Sequence, residues 1–115
     1  MRFWVEKHNI DGFRCDMAML VPIEFWQEAS AVLHAIKPDI FMLAEAEELN
    51  LFDQAFDMCY AWEIHHLMCD IAKGERKVWT LRNTLYADRE RFPSTAIKMM
   101  FTSNHDENSW SGSEF

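Results

Sequence analysis

The sequence predicts an α/β fold in which parallel strands alternate with helices. Short apolar runs of strand length alternate along the chain with longer stretches that have helical spacing. Carboxylates follow three of the short runs, at Asp16, Glu45 and Asp106. Strands that alternate with helices form parallel sheets through right-handed crossovers. We therefore expect the three carboxylates at the carboxyl edge of one sheet, where ligands bind in such folds.

The first half of the chain predicts a strand, a helix and a second strand. Residues 10–15 form a short apolar run that ends at Asp16. Pro22 suits the first turn of the next helix, where a missing N–H leaves no hydrogen bond unmade. Apolar residues at helical spacing predict the buried face of this helix: Phe25, Ala29, Val32, Leu33 and Ile36. Residues 40–44 are continuously apolar, which is typical of a strand covered on both faces.

The second half predicts a strand, two helices and a last strand. These elements are expected at residues 55–60, 62–73, 78–91 and 96–102. Asp57 interrupts the first of them and weakens its strand signal. Gly74 suits the position after the end of a helix, and Pro93 ends the next one.

Composition and charge exclude several classes of partner. Half of the residues are apolar and the net charge is −8 at pH 7, which indicates a globular domain with an acidic surface. Nucleic acid and anionic lipid both require a basic face, so neither is expected as a partner. No apolar run reaches the roughly 18 residues of a membrane span. Cys15, Cys59 and Cys69 form no CxxC pair and are expected to be core thiols.

Arg14, Asp16 and Glu45 predict chemistry by paired carboxylates. Arg14 and Asp16 are two residues apart, so their side chains share one face of a strand. A guanidinium beside a carboxylate keeps it ionised and oriented, as a nucleophile requires. Glu45 follows an apolar run, and an apolar environment raises the pKa of a carboxyl group, which suits a general acid. Glycoside hydrolysis uses such a pair, one carboxylate as nucleophile and one as general acid. An equal alternative for Asp16 alone is that it caps the following segment.

Three segments resemble the catalytic motifs of the α-amylase family, glycoside hydrolase family 13. Residues 12–16 (Gly-Phe-Arg-Cys-Asp) resemble the family's segment after the fourth barrel strand. Glu45 matches the position after the fifth strand, and residues 104–106 (Asn-His-Asp) resemble the segment after the seventh. The matches occur in family order and are dispersed over residues 10–108.

The resemblance implies a role for each of these side chains. Asp16 is implied as the nucleophile, with Arg14 as its charged neighbour, and Glu45 as the general acid/base. Asp106 is implied to bind ring hydroxyls and to stabilise the transition state. His105 is implied to contact the sugar at the cleavage point.

Two further residues are predicted to bind substrate. Asn104 belongs to the last of the three motifs. Trp110 follows Asp106 closely and could form a subsite wall, because sugar rings stack on aromatic faces. Most other aromatic residues, such as Phe25 and Trp26, have helical spacing and are expected in the core.

The resemblance also implies a fold and a substrate. Residues 1–115 would form part of a (β/α)8 TIM barrel, about strands four to seven, because a whole barrel takes about 250 residues. Both ends look truncated: residues 1–8 resemble the end of a helix without a capping residue, and residues 111–115 stop in a loop. The implied substrate is an α-1,4-glucan or maltooligosaccharide, hydrolysed with retention. The alternatives are a same-family glucanotransferase, a trehalose-forming enzyme and a non-catalytic half-barrel remnant.

Other polar residues predict no cofactor or metal site. Met19 and Leu20 stand where many α-amylases have Lys-His, a departure that bears on substrate preference at that subsite and leaves calcium open for the intact enzyme. His65 and His66 are neighbours on a predicted helix, and adjacent helical side chains do not face each other. We therefore expect them at the surface or in packing, and no metal ligand is predicted. Glu47 is expected in a solvated acidic loop.

Overall fold

Four parallel strands form one sheet in the computed structural model, which describes residues 1–110 apart from the side chain of Trp110. The order of the strands in the sheet follows the chain: β1 (Gly12–Cys15), β2 (Phe41–Ala44), β3 (Met58–Tyr60) and β4 (Ile97–Met99). Every neighbouring pair is parallel. The predicted α/β class with a parallel sheet is confirmed.

Helices connect the strands in the predicted sequence. Within the described part of the chain they are α1 (Arg2–His8), α2 (Ile23–Ile36), α3 (Trp62–Ala72), α4 (Val78–Arg91) and α5 (Glu107–Trp110). Helix α2 lies between β1 and β2, and α3 and α4 lie between β3 and β4. Gly74 has φ 78°, a left-handed conformation that glycine adopts readily after a helix end. The strand predicted at residues 96–102 is shorter than expected, because β4 ends at Met99.

One face of the sheet packs on α2 and forms the core. Met42 and Ala44 of β2 and Cys59 of β3 are fully buried there. Trp26 and Leu33 of α2 belong to the same cluster of buried residues. The apolar pattern of β2 therefore buries alternate side chains against one helix.

The buried side of α2 differs from the prediction. Trp26 and Leu33 are buried, whereas Phe25 is 51% exposed and Val32 is 39% exposed. The indole N–H of Trp26 donates a hydrogen bond of 2.9 Å to the carbonyl of Ala18. Because this bond satisfies the polar atom of the larger ring, Trp26 enters the core and Phe25 turns away from it.

The opposite face of the sheet carries Arg14 and is only partly covered within residues 1–110, where Tyr60 is buried and Phe41 is exposed. Arg14 pairs in register with Leu43, and Leu43 pairs with Met58. Alternation along β3 places Tyr60 on the same face. Phe41 remains 38% exposed here, so the expectation that the second strand is covered on both faces is wrong for the described chain.

Gly12 allows β1 and β2 to approach closely. A Cβ atom at this position would lie 2.2 Å from the carbonyl oxygen of Phe41, which is far inside the contact distance. The pairing of Gly12 with Phe41 therefore requires glycine.

Lys98 lies in a cluster of buried charges, here called the Lys98 cluster (Lys98, Glu47 and Asp88). Its Nζ is 2.5 Å from Oε1 of Glu47, 3.4 Å from Oδ2 of Asp88 and 3.8 Å from the centroid of the Phe92 ring. The three charged side chains are only 10–13% exposed. The prediction that Glu47 lies in a solvated loop is wrong, because a lysine distant in sequence neutralises it. Glu47 also accepts a hydrogen bond of 2.7 Å from the backbone N–H of Glu63 in α3.

The cysteines and the helices agree with the sequence predictions. Cys15, Cys59 and Cys69 are buried thiols, and burial raises the pKa of Cys15 and of Cys59 to about 11.

No helix within residues 1–110 has the length and apolar character needed to cross a membrane.

Candidate active site

Asp16 and Glu45 lie next to each other because β1 and β2 end at the same level. Cys15 pairs in register with Ala44, and each carboxylate residue directly follows one of these strand ends. The backbone N–H of Glu45 donates a hydrogen bond of 2.9 Å to the carbonyl of Cys15. The Asp16 side chain is 73% exposed, whereas Glu45 is 5% exposed between two buried alanines. The two carboxylates therefore combine an accessible group with an enclosed one.

Arg14 contacts both carboxylates. Its Nη1 lies 2.5 Å from Oδ1 of Asp16, and its Nη2 is in direct contact with Oε1 of Glu45. The Nε of Arg14 donates a hydrogen bond of 3.4 Å to the hydroxyl of Tyr60 at the end of β3. Residues from three neighbouring strands thus fix one guanidinium between two carboxylates.

The electrostatics of the site favour an ionised Asp16. The hydrogen bond from Arg14 is the main reason that the pKa of Asp16 lies below its usual value. A hydrogen bond with the Glu45 carboxyl and the charge of His105 act in the same direction. Partial burial lowers the pKa of Arg14, but its hydrogen bonds with Tyr60 and Asp16 more than offset this effect and raise the pKa overall.

Met17 holds Glu45 through its backbone. The N–H of Met17 donates a hydrogen bond of 2.9 Å to Oε2 of Glu45. Met17 has φ 44° and ψ 45°, a left-handed conformation that is unfavourable for a residue with a side chain. Such outliers persist where surrounding contacts demand them, and they cluster at functional sites. Both oxygens of Glu45 are therefore engaged, one by Arg14 and one by this N–H.

Asn104, His105 and Asp106 lie in a loop beyond the sheet. The expectation that Asp106 ends a strand is wrong, because β4 ends at Met99 and the loop continues to α5. Oδ1 of Asn104 accepts backbone hydrogen bonds of 3.0 Å from Asp106 and 2.8 Å from Glu107 and so caps α5. Nε2 of His105 lies 3.4 Å from Oδ2 of Asp106.

The predicted residues are only partly brought together. Asp16 and Glu45 share Arg14, and the charge of His105 lowers the pKa of Asp16 after larger effects from Arg14. Among the contacts within residues 1–110, none joins Asp106 to either carboxylate. The side chain of Trp110 lies outside the described residues, so its predicted contact with substrate stays a prediction.

Two features of the site were missed in the sequence. The strand predicted at residues 55–60 does not single out Tyr60, although an aromatic residue at the last position of the strand beside Glu45 indicates a partner for Arg14. Asn104 has a buried Nδ2 atom without a hydrogen-bond partner. A buried donor without a partner is unusual in a native protein.

The divergence expected for His65 and His66 is also wrong. The centroids of their rings are 5.4 Å apart, and both rings lie beside Trp62. His65 stacks on Phe101, with centroids 4.4 Å apart. Aromatic packing from both sides turns the two imidazoles towards each other, which the helical angle between their Cα–Cβ bonds does not reveal.

Comparison with known proteins finds relatives over part or nearly all of the chain. No family model matches. A maltogenic α-amylase from Bacillus acidopullulyticus is 46% identical over 44 residues, which cover 38% of this chain and 8% of that protein. The crystal structure of an α-amylase from Lactobacillus plantarum covers 90% of the chain at 31% identity, with a TM-score of 0.82. That of a maltogenic α-amylase from Thermotoga neapolitana covers 92% at 35% identity, with a TM-score of 0.83.

The chain corresponds to a minor part of these proteins. It spans 28% of the L. plantarum structure and 25% of the T. neapolitana structure. The four parallel strands and their helices superpose on this part, which confirms the predicted partial barrel. Sequence and fold together place the chain with the α-amylase-like proteins of glycoside hydrolase family 13, as part of their (β/α)8 catalytic barrel.

Proposed function

We propose that Asp16 and Glu45 are the nucleophile and the general acid/base of a retaining α-glucan hydrolase whose catalytic barrel includes this chain. The observation that carries the proposal is the single guanidinium of Arg14 in contact with both carboxylates. It gathers them at one point of the sheet edge and favours an ionised, exposed Asp16. These are the properties that a nucleophile needs.

The reaction has two steps: Glu45 gives a proton in the first and takes one in the second. Glu45 exchanges its contact with Arg14 for a proton when the substrate binds and, as the acid, donates that proton to the glycosidic oxygen. An oxygen of Asp16 attacks the anomeric carbon at the same time, and the glycosidic bond breaks. Glu45, now a carboxylate, then takes a proton from water, which attacks the same carbon and releases Asp16. Two inversions give net retention, and such enzymes keep their carboxyl groups about 5–5.5 Å apart. All proton and bond changes are carried by side chains and water, so the proposal requires no cofactor.

The loop after β4 supplies the remaining contacts to the sugar in this proposal. Asp106 binds ring hydroxyls and stabilises the positive charge of the transition state. His105 contacts the sugar at the cleavage point, and its electrostatic effect on Asp16 supports this position. Asn104 binds substrate from the same loop in this proposal, and Trp110 provides an aromatic wall.

The names of the similar proteins support the proposed substrate class. They include maltogenic α-amylases and cyclomaltodextrinases. We assign α-1,4-glucans, such as starch and maltooligosaccharides, as the substrates of a protein that contains this chain.

A hybrid enzyme tests the proposal with a complete barrel. Residues 10–110 would replace the corresponding segment of the L. plantarum α-amylase, which shares the fold at a TM-score of 0.82. The folded hybrid is expected to hydrolyse maltoheptaose, and Asp16→Asn is expected to abolish this activity. Asp39→Asn, at an exposed position outside the site, is the matched control and should retain it. A hybrid that unfolds cooperatively yet is inactive, or one that stays active in Asp16→Asn, contradicts the proposal.

The products distinguish hydrolysis from transfer. A hydrolase releases only maltooligosaccharides shorter than maltoheptaose. A glucanotransferase also produces longer chains, because a sugar hydroxyl replaces water in the second step. If longer products form, Asp16 and Glu45 keep their roles, but the reaction is glucan transfer and not hydrolysis.

A further inference from the structure

Three potential metal-ligating side chains converge beside the candidate active site. His65, His66 and Glu107 each offer one ligand atom, and these atoms lie within 4.8 Å of one another. The two histidines belong to α3, and Glu107 is the first residue of α5. Nε2 of His65 is 3.9 Å from Oε2 of Glu107. Bonds of about 2.0–2.1 Å to a tetrahedral Zn²⁺ place neighbouring donors about 3.4 Å apart, so separations of up to 4.8 Å must shorten by up to about 1.4 Å on binding.

The orientation of His65 matches that of a metal ligand. Its Nδ1 lies 3.3 Å from the backbone carbonyl of Phe101. A carbonyl oxygen only accepts hydrogen bonds, so Nδ1 carries the proton and Nε2 is the nitrogen that can coordinate. Nε2 faces Glu107 and is hydrogen-bonded to Sγ of Cys69 at 3.8 Å, so a bound ion would replace the thiol at this nitrogen. Histidine ligands usually donate their second ring N–H to a carbonyl or carboxylate in this manner, which fixes the ring.

The other two groups are accessible and adjustable. His66 is exposed and stacks on Trp62 at 5.8 Å between centroids. Glu107 is partly exposed and stands at the start of a short helix. The cluster thus joins one buried, packed ligand to two less buried ligands whose side chains can rotate to close the remaining distance.

We propose that His65, His66 and Glu107 bind a divalent transition metal, Zn²⁺ by preference. Two imidazoles and one carboxylate form a three-ligand set that suits Zn²⁺ and leaves a fourth position for water. Calcium and magnesium prefer oxygen ligands and would not favour two imidazoles. Glu107 directly follows Asp106, so the bound ion ties the loop of residues 102–106 to α3. The site acts by positioning this loop, and it does not depend on the reaction assigned to Asp16 and Glu45.

Metal titration of the whole 115-residue chain tests the site. Any affinity tag is removed, bound metal is stripped with chelator, and Zn²⁺ is added in a calorimeter. Co²⁺ is titrated in parallel, because its visible absorption reports coordination by nitrogen and oxygen. We expect saturable binding of one ion per chain and a higher Tm with Zn²⁺, since an ion that binds only the folded state stabilises it.

Two substitutions and two matched controls decide the assignment. His66→Ala and Glu107→Gln should each weaken Zn²⁺ binding by at least about tenfold, because even the loss of an outer partner of a ligand costs about 10–100-fold. His8→Ala and Glu75→Gln alter exposed residues outside the cluster and should bind as the unaltered chain does. Both test positions are accessible, and circular dichroism confirms that each variant is folded. Absence of saturable binding, or binding that His66→Ala and Glu107→Gln leave unchanged, overturns the proposal.

Discussion

Lys98→Met tests whether the Lys98 cluster holds β4 to the loop after β2. Methionine approximates the length and volume of the lysine stem but removes the charge. Glu47 and Asp88 would then remain 10–13% exposed with no cation between them. The loss is expected to be large because Nζ is 2.5 Å from Glu47 and also faces the ring of Phe92.

The magnitude follows from the burial of the two carboxylates. Removing one partner of a buried ion pair costs about 3–5 kcal/mol, since an uncompensated charge remains in a medium of low polarity. Domains of this kind are stable by about 5–15 kcal/mol. For a urea m-value of about 2 kcal/mol/M, a loss of 4 kcal/mol lowers the midpoint of unfolding by about 2 M. The contact with Asp88 contributes less than that with Glu47, because no hydrogen bond reaches Oδ2 of Asp88 at 3.4 Å.

Urea unfolding followed by far-ultraviolet circular dichroism measures this loss. Lys73→Met, at an exposed lysine, is the matched control and should change stability by no more than about 0.5 kcal/mol. Adding Glu47→Gln and Asp88→Asn to Lys98→Met should restore much of the stability, because no net charge remains buried. A loss in Lys98→Met as small as in the control would refute the reasoning. It would mean that water solvates the carboxylates despite their low exposure.

Three other predictions concern the sheet, the pH dependence and the activity of the chain. Gly12→Ala should destabilise the fold by about 1–3 kcal/mol in urea unfolding, because its Cβ would meet the Phe41 carbonyl at 2.2 Å. Gly74→Ala meets no atom but must adopt φ 78°, so it should lose about 1–2 kcal/mol from the left-handed backbone alone. The folded state lowers the pKa of Asp16 below its usual 3.8, so its contribution to stability is present above about pH 4 and is lost as the pH falls through the lowered value. Asp16→Asn should therefore lose less stability on acidification than the unaltered chain, whereas the control Asp39→Asn should lose as much as the unaltered chain. An equal loss in Asp16→Asn would contradict the lowered pKa of Asp16. The isolated chain should release no measurable sugar from starch, because it spans about a quarter of the solved amylases it matches; robust hydrolysis that Asp16→Asn abolishes would contradict this.

The elements of the fold were predictable because periodicity and helix-ending residues specify them locally. The helix at Val78–Arg91 has the predicted bounds, and the strand ends before Asp16 and Glu45 were also placed correctly. Orientation was less predictable. Both Phe25 and Trp26 lie on apolar stripes of α2, and only the tertiary hydrogen bond to Ala18 selects Trp26 for the core.

The site was predictable where the relevant contacts are local or lie at neighbouring strand ends. Arg14 and Asp16 are two residues apart, and their ion pair follows from that spacing. The burial of Glu47 depends on Lys98, which is 51 residues away, so no local pattern reveals it. The convergence of His65 and His66 likewise depends on packing against Phe101, which lies beyond α4 in the chain.

The hydrogen bond from the Met17 backbone to Glu45 depends on the backbone conformation of residue 17 and not on the chemistry of its side chain. Glu45 recognises an N–H that every amino acid except proline possesses. Whether a substitution at residue 17 is tolerated should therefore depend on how costly the left-handed backbone at φ 44° is for the new residue. The size and polarity of its side chain should matter little. Glycine and asparagine would be accepted, whereas valine and isoleucine would shift the N–H away from Glu45 and proline would remove it. Residue 17 is exposed, so its side chain can vary in chemistry, whereas its backbone conformation limits which residues keep the hydrogen bond to Glu45.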